Sequence, residues 1–304
     1  MTDAIIASLN PAFDYYVCFD QLDRGFETTD KYKNRLIGLL LAARNINVQA
    51  AKAGKKLSVV IFLRDDIYQI LSFEDKNKLT ENAVARIEWD SARSSKTLKQ
   101  LMAKRFSTVL KISEDGAWDS VFDEDEKMTG KQTKYQHMVD RTFLRPRDMI
   151  KFCNEVLLAH NVSLDGSEGI FSNRDVQDAR LEYSRYLLAE LDDELYKHIP
   201  EYRTYIEILK SMDSLAFTLQ DFEEACERRR FLLAPGINGV TILKQLFEFS
   251  IIGYYSPGGG GFGGAEYIWR YRDPRSQFNE AAGQFRIHPG LKEALGVKKW
   301  VKSE

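Results

Sequence analysis

Cysteine is scarce in this chain: three thiols (Cys18, Cys153 and Cys226) in 304 residues. Their odd number, wide spacing and apolar neighbours exclude a disulfide framework and fit reduced, buried packing residues of a cytoplasmic protein. Histidine is nearly as rare, and His137, His160, His198 and His288 show no metal-ligand spacing. No apolar run approaches the length that spans a bilayer. The opening MTDAIIASLNP carries an acid near its start and no basic region, so it does not read as a secretory leader. An excess of one charge is also missing. With 43 basic and 45 acidic residues the net charge is −2, so no overall field draws the chain to nucleic acid or membrane. Nor does a GxxxxGK(S/T) string occur anywhere. What remains, 44% hydrophobic and 29% charged residues, is the composition of a globular protein of two or three domains.

The most informative stretch is Phe13 to Arg24, FDYYVCFDQLDR. Tyr15 to Phe19 reads as a buried parallel strand, and Asp20 and Asp23 follow at its carboxyl end, the form of a Walker B segment. In nucleotide-binding α/β proteins an acid at such a strand tip holds Mg²⁺, usually through water, beside the phosphates. The strand should follow a phosphate-binding loop, and the twelve or so residues ahead of it are too few to supply one. The nearest string, Thr129-Gly130-Lys131-Gln132-Thr133, has Asp125 where the first glycine belongs and follows an acidic loop, whereas a phosphate cradle needs strand, turn and helix.

Downstream, Arg35 to Ala53 has helical spacing and stops at Gly54. Leu57 to Leu63 reads as a central strand ending in Arg64, and Ala83 to Trp89 as a weaker strand. Ser95 to Leu110 is a basic amphipathic helix whose cations fit a solvated face, and Ser113 to Gln136 reads as a long polar loop or mobile segment. Helices are expected over 147–160 and 173–198, the second capped by Ser172 or Asn173. From Glu201 three short helical patterns (202–212, 219–232 and 240–249) lead to a strand at 251–255, a glycine tract, a strand at 266–272 and a last amphipathic stretch from Pro289. Three helices, a strand, a glycine-rich turn and a second strand form the order of a winged helix. Gly259, Gly261 and Gly264 formally match GxGxxG, but the following segment is strand-like, so a wing or hairpin loop is the better reading.

In this order of elements, with RTFLRPRDMIKFCNEVL between the two halves, the chain resembles the C-terminal part of the STAND and related AAA+-like P-loop ATPases of bacteria, which include members linked to phage defence. The resemblance implies a mixed α/β plus α fold: an incomplete parallel P-loop-type sheet over 1–135, a helical lid over 136–200 and a C-terminal winged helix over 201–304. It implies ATP or ADP with Mg²⁺ in the complete assembly, Asp20 on the Mg²⁺ side and Asp23 as a second acid. Arg64 becomes the sensor-strand arginine near the γ-phosphate, Arg145 and Arg147 lie near a second sensor at the lid, and His288 in FRIHPGL is the winged-helix histidine that contacts ADP in some members. Gln21 replaces the usual acid after the Mg²⁺-side carboxylate; it can position water but cannot accept its proton.

Plainer readings stand beside these. Asp20 and Asp23 also fit a strand-end turn, Arg64 an ion pair with Asp65 or Asp66, Arg145 and Arg147 a surface, and His288 a packed side chain. The missing strand leaves a gap. Either 85–89 closes directly on the sensor strand, or another chain supplies the missing part, the sequence then being a fragment or a subunit with a partner. Two readings of the last third also remain open. Residues 201–304 hold 14 basic and 13 acidic residues, a net +1. Arg228, Arg229 and Arg230, Lys244 on the third helix, and Arg270, Arg272 and Arg275 after the wing are the cations available for DNA, and the alternative is a protein contact.

Overall fold

The computed structural model describes residues 2–22, 29–91, 94–163, 169–196, 198–212, 214–258 and 264–299, and of Asp66 the backbone only. The chain divides into two compact units, 1–87 and 88–304.

The first unit runs α1 (Thr2–Ser8), β1 (Tyr15–Phe19), α2 (Asp30–Lys52), β2 (Leu57–Ile61), α3 (Asp65–Ile70) and α4 (Lys76–Ala83). Thr29 caps α2 by accepting from the Tyr32 amide, and Gly54 ends it at φ +64°, a conformation only glycine adopts cheaply. Leu36, Ala43 and Ala50, seven residues apart, form the buried stripe of α2. The helix is the crossover between two parallel strands, paired from Tyr15↔Leu57 to Phe19↔Ile61. The unit's core is small and lies beyond the strand ends: Leu36, Ile67, Tyr68, Leu71 and Leu79.

Three expectations change here. β1 is not buried: Tyr16 is 69% exposed, and Val17, Cys18 and Phe19 are exposed too, because α2 lies against β2 and the sheet has only two strands. Cys18 is therefore an exposed thiol, while Cys153 and Cys226 are buried as expected. Residues 84–88 form no helix and pair with no strand among the described residues, so they do not close on β2.

The outer edge of β2 is closed in another way. The register, with Tyr15 N–H donating to the Lys56 carbonyl (2.8 Å) and Phe62 N–H to the Phe19 carbonyl (2.9 Å), turns the peptide groups of Leu57, Val59 and Ile61 away from β1. The side-chain amide of Asn47 on α2 takes both groups of the middle residue. Its Nδ2 donates to the Val59 carbonyl at 3.0 Å, and its Oδ1 accepts from the Val59 amide at 2.6 Å. One amide thus occupies the place of a neighbouring strand.

The second unit holds α5 (Leu98–Leu110), α6 (Lys134–Val139), α7 (Pro146–Val162), α8 (Asn173–Leu195), α9 (Tyr202–Lys210), β3 (Ala216–Phe217), α10 (Leu219–Arg228), α11 (Gly239–Glu248), β4 (Ile252–Ser256), β5 (Glu266–Ile268), β6 (Phe285–Ile287) and α12 (Lys292–Leu295). Reciprocal caps start α5 (Thr97 with Gln100), α8 (Ser172 with Asp175) and α10 (Thr218 with Asp221). Pro146 sits in the first turn of α7, where its missing N–H costs nothing. The strands form one antiparallel sheet in the order β3-β6-β4-β5. The strand expected at 266–272 is shorter, and β3 and β6 were not expected. Gly259 and Gly261 lie outside the described residues.

The polar segment 113–136 is not a loose loop. Ala117, Trp118, Val121 and Phe122 are buried, the Trp118 and Phe122 rings stack at 4.3 Å, and Lys134 begins α6. Because this segment and α5 share one core with α7, α8 and the C-terminal sheet, the boundary expected at 135 falls at 87/88, and residues on both sides of 200 belong to the same core.

Replacing Asn47 by alanine strands the Val59 peptide groups, a loss of about 1–2 kcal/mol. Hydrogen exchange of the Val59 amide is expected to accelerate about tenfold, with amides of α8 unchanged. Unaltered exchange at Val59 would show that the amide clasp does not hold the edge.

Candidate functional site

Parallel pairing places Asp20 and Arg64 at the same end of the sheet. Asp20 follows β1 directly and Arg64 lies three residues past the end of β2. The carboxyl edge of parallel strands is where α/β proteins bind ligands, since strand ends and helix starts converge there. Asp20 is exposed and its Oδ1 accepts from the Gln21 amide at 2.7 Å, which holds the turn with Gln21 at φ 60°. Its second oxygen is directed to no described donor. Arg64 is exposed and opens α3. Asp65 is engaged elsewhere, with Gln69 Nε2 at 3.2 Å and Arg86 Nε at 4.0 Å. Asp23 lies outside the described residues, so the edge is described with one of its two expected acids.

Arg145 and Arg147 are together in the second unit, and both are held by α8. Arg145 Nη1 lies 3.2 Å from Glu194, and Arg147 reaches Glu190 at 3.3 Å and Glu194 at 3.6 Å. Asp148, buried beneath them, accepts from the Phe143 amide at 3.1 Å. Burial raises its carboxyl above the usual range, against the pull of Arg145.

His288 is a packed side chain. It is fully buried among Phe143 (4.5 Å), Trp269 (5.2 Å) and Tyr271 (5.4 Å), and its Nδ1 accepts from the Gly290 amide at 3.2 Å. Gly290 is required by close approach: a Cβ there would lie 2.2 Å from the Arg141 carbonyl. Sequence reading missed the polar joint around this point. Arg141 is 2% exposed and donates to the His137 carbonyl at 3.0 Å, and Tyr183 donates to the Arg141 carbonyl at 3.2 Å. His137 is buried with neither ring nitrogen hydrogen-bonded. Arg180 contacts Glu293 at 3.6 Å. Burial, then the charges of Arg141 and Arg180, lowers His137 to about 3. Burial and the guanidiniums of Arg272, Arg141 and Arg286 hold His288 well below its ordinary value. Nothing in the sequence marks this cluster, whose members lie up to about 150 residues apart.

The cations proposed for nucleic acid divide into two groups. Arg270 pairs with Glu248 at 3.3 Å and donates to the Ser276 carbonyl, and Arg272 pairs with Asp140 at 3.5 Å and contacts the Tyr271 hydroxyl at 3.0 Å, so both are committed internally. Lys244 is exposed on α11. Arg228 is exposed and Arg229 half-buried, and among the described residues neither has an ion-pair partner. Arg230 donates to the Ile237 carbonyl at 2.6 Å.

Residues 96–192 match the family described as the FunZ-associated C-terminal helical domain, which here covers α5 to most of α8. The chain is also 27% identical over 202 residues to the 80.3 kDa protein attributed to transposon gamma-delta in Escherichia coli (strain K12). That match takes in 65% of this chain and 27% of the relative, so the chain spans only about a quarter of the relative's length. No solved structure matches. Among the described residues no helix is long and apolar enough to cross a membrane, and no group of three or more His, Cys, Asp or Glu side chains is placed to hold a metal.

The buried histidines set a pH dependence. The unfolded chain protonates both near pH 6.5, whereas the folded chain protonates His137 only near 3, and burial with the neighbouring guanidiniums holds His288 well below its ordinary value. The folded state therefore binds fewer protons, and stability falls as pH drops from 6.5 toward 3, by up to about 1.4 kcal/mol per pH unit for each histidine. Urea midpoints between pH 7.5 and 4.5 should follow this slope, and His137→Leu should remove one proton's share of it.

Proposed function

We propose that this chain is the C-terminal part of a STAND/AAA+-like P-loop ATPase, a nucleotide-dependent switch that lacks its phosphate-binding segment. The observation that carries the reading is the parallel β1-α2-β2 unit with Asp20 and Arg64 on one carboxyl edge and an exposed, two-stranded sheet. Further support comes from the C-terminal topology. α9, β3, α10, α11, β4 and β6 follow the order of a winged helix, with β5 added inside the wing. The description of the matched family as a C-terminal domain, and a relative much longer than the matched stretch, fit a chain that works with a preceding segment.

In the complete assembly Asp20, with Asp23, holds Mg²⁺ beside ATP or ADP, through water. One or two carboxylates suffice for this ion, which keeps most of its waters, so the lack of a three-ligand cluster among the described residues is no obstacle. Gln21 would position the attacking water and Arg64 would sit near the γ-phosphate, while Arg145 and Arg147 are the arginines that the resemblance assigns to the lid. His288 acts through packing, not by touching nucleotide. The partner is a P-loop segment of the same protein or a separate ATPase subunit, and self-assembly is compatible with either. A role in phage defence rests on the resemblance alone.

Turnover tests this. The chain alone should hydrolyse Mg-ATP no faster than background. Co-expressed with a strand–GxxxxGK(S/T)–helix segment encoded in frame upstream or in the adjoining gene, it should gain activity that Asp20→Ala lowers by about a hundredfold or more. Turnover by the chain alone that Asp20→Ala abolishes would overturn the incompleteness. An assembled activity indifferent to Asp20→Ala would overturn the site.

A second reading, a non-enzymatic module that binds DNA through the winged-helix part, is favoured by one observation: among the described residues Arg228 and Arg229 stand without ion-pair partners next to the segment that leads into α11. The attribution of the relative to a transposon is compatible with it. Binding should then fall steeply with salt, and Arg228→Ala with Arg229→Ala should reduce the slope by about 2.

A further inference from the structure

The connection from α10 to α11 carries an aromatic ring held in solvent. Phe231 is 83% exposed and Leu232 45% exposed, directly after Arg228, Arg229 and Arg230. The exposure does not come from a slack loop. Residues 230–232 form a 3₁₀ turn in which the Leu232 amide donates to the Arg229 carbonyl at 2.8 Å and the Leu233 amide to the Arg230 carbonyl at 3.1 Å. Leu233 is buried in the core, and the Arg230 guanidinium ties the turn to the Ile237 carbonyl at 2.6 Å. The turn is thus anchored at both ends, and Phe231 lies between the anchors. The backbone that carries the ring is already ordered, so a contact there costs only the rotamer freedom of the ring.

We infer that Phe231 is a stacking platform for an unpaired base, with Arg228 and Arg229 on the flanking phosphates, so the surface takes single-stranded or locally unpaired DNA in preference to intact duplex. The chemistry favours this occupant. A phenyl face accepts any base, guanidiniums without carboxylate partners neutralise phosphate, and a strand offers a base face beside its phosphates as the chain offers Phe231 beside its arginines. Of the exposed acids of α10, Glu227 directly precedes Arg228, and Glu224 and Glu223 lie four and five residues before it, about one turn back, so the basic run begins where the acids end. Lys244 and Thr241 are exposed on α11, the next helix. An intact duplex offers phosphates to the arginines but no free base face to the ring. This inference rests on the DNA-binding reading and adds to it the form of the nucleic acid.

The test is fluorescence anisotropy with the full chain and three labelled 20-nucleotide probes: single strand, duplex with one unpaired base, and intact duplex, each over a salt series. Wild type should bind the first two about tenfold more tightly than the third. Phe231→Ala should remove that preference, weakening the first two about tenfold and the intact duplex less than twofold, with the salt slope unchanged. Phe231→Trp should keep or strengthen the preference. Arg228→Ala with Arg229→Ala should weaken all three probes and flatten the slope. The substituted side chains are largely on the surface, so unchanged circular-dichroism melting confirms the fold. Binding with a salt slope that needs the arginines but is indifferent to Phe231 would overturn the stacking inference and leave the DNA reading standing. No salt-dependent binding to any probe would overturn both.

Discussion

The hydrogen-bonding demand of two parallel strands governs the first unit. A parallel pair has an edge on each side and two faces to cover, and sheets of this kind survive in proteins when neighbours meet both needs. Here α2 lies against β2, the Asn47 amide meets the peptide groups of Val59, and β1 is left exposed. The small core beyond the strand ends stabilises the turn region that carries Asp20 and Arg64 more than it stabilises the sheet. The turn region at the tip of the sheet is therefore held while the β1 side is left uncovered.

The second unit is organised differently. Its core runs without a break from Leu98 to Val297, and the joint at Arg141, His288 and Gly290 fixes the last strand against the start of α7 and the middle of α8. The close approach of Gly290 to the Arg141 carbonyl leaves no room for adjustment there, and two neutral histidines beside buried guanidiniums add no charge that would loosen it. A displacement of α8 would therefore move the C-terminal sheet with it. Glu190 and Glu194, which hold Arg145 and Arg147, lie on that same helix.

The elements written locally were legible. Apolar spacing and caps marked α2, α7 and α8, and β-branched or aromatic runs marked β1 and β2. The two- and three-residue strands β3 and β6 are too short for any periodicity, and they become strands only because β4 lies alongside β6. The charges around Trp118 and Phe122 hid a buried aromatic pair, since composition averages over a segment while burial selects single positions. At the candidate site the sequence marked Asp20 and Arg64, each at the end of a recognisable strand. It could not show that Arg145 finds Glu194 across 49 residues, that Asn47 closes an edge, or that Arg270 and Arg272 are already paired. These are long-range pairings, which one-dimensional patterns do not contain.

The difference between the two sheet edges has a consequence for handling the protein. The edge of β2 is blocked by a side chain, while β1 carries Tyr-Tyr-Val-Cys-Phe, uncharged and exposed from Tyr16 to Phe19. Natural edge strands usually carry a lysine, a proline or a bulge that discourages pairing with other molecules, and β1 has none of these. In concentrated solution that strand would be the place where one molecule recruits the next, and Cys18, the fourth of its five residues, would make such an encounter open to covalent capture by oxidation.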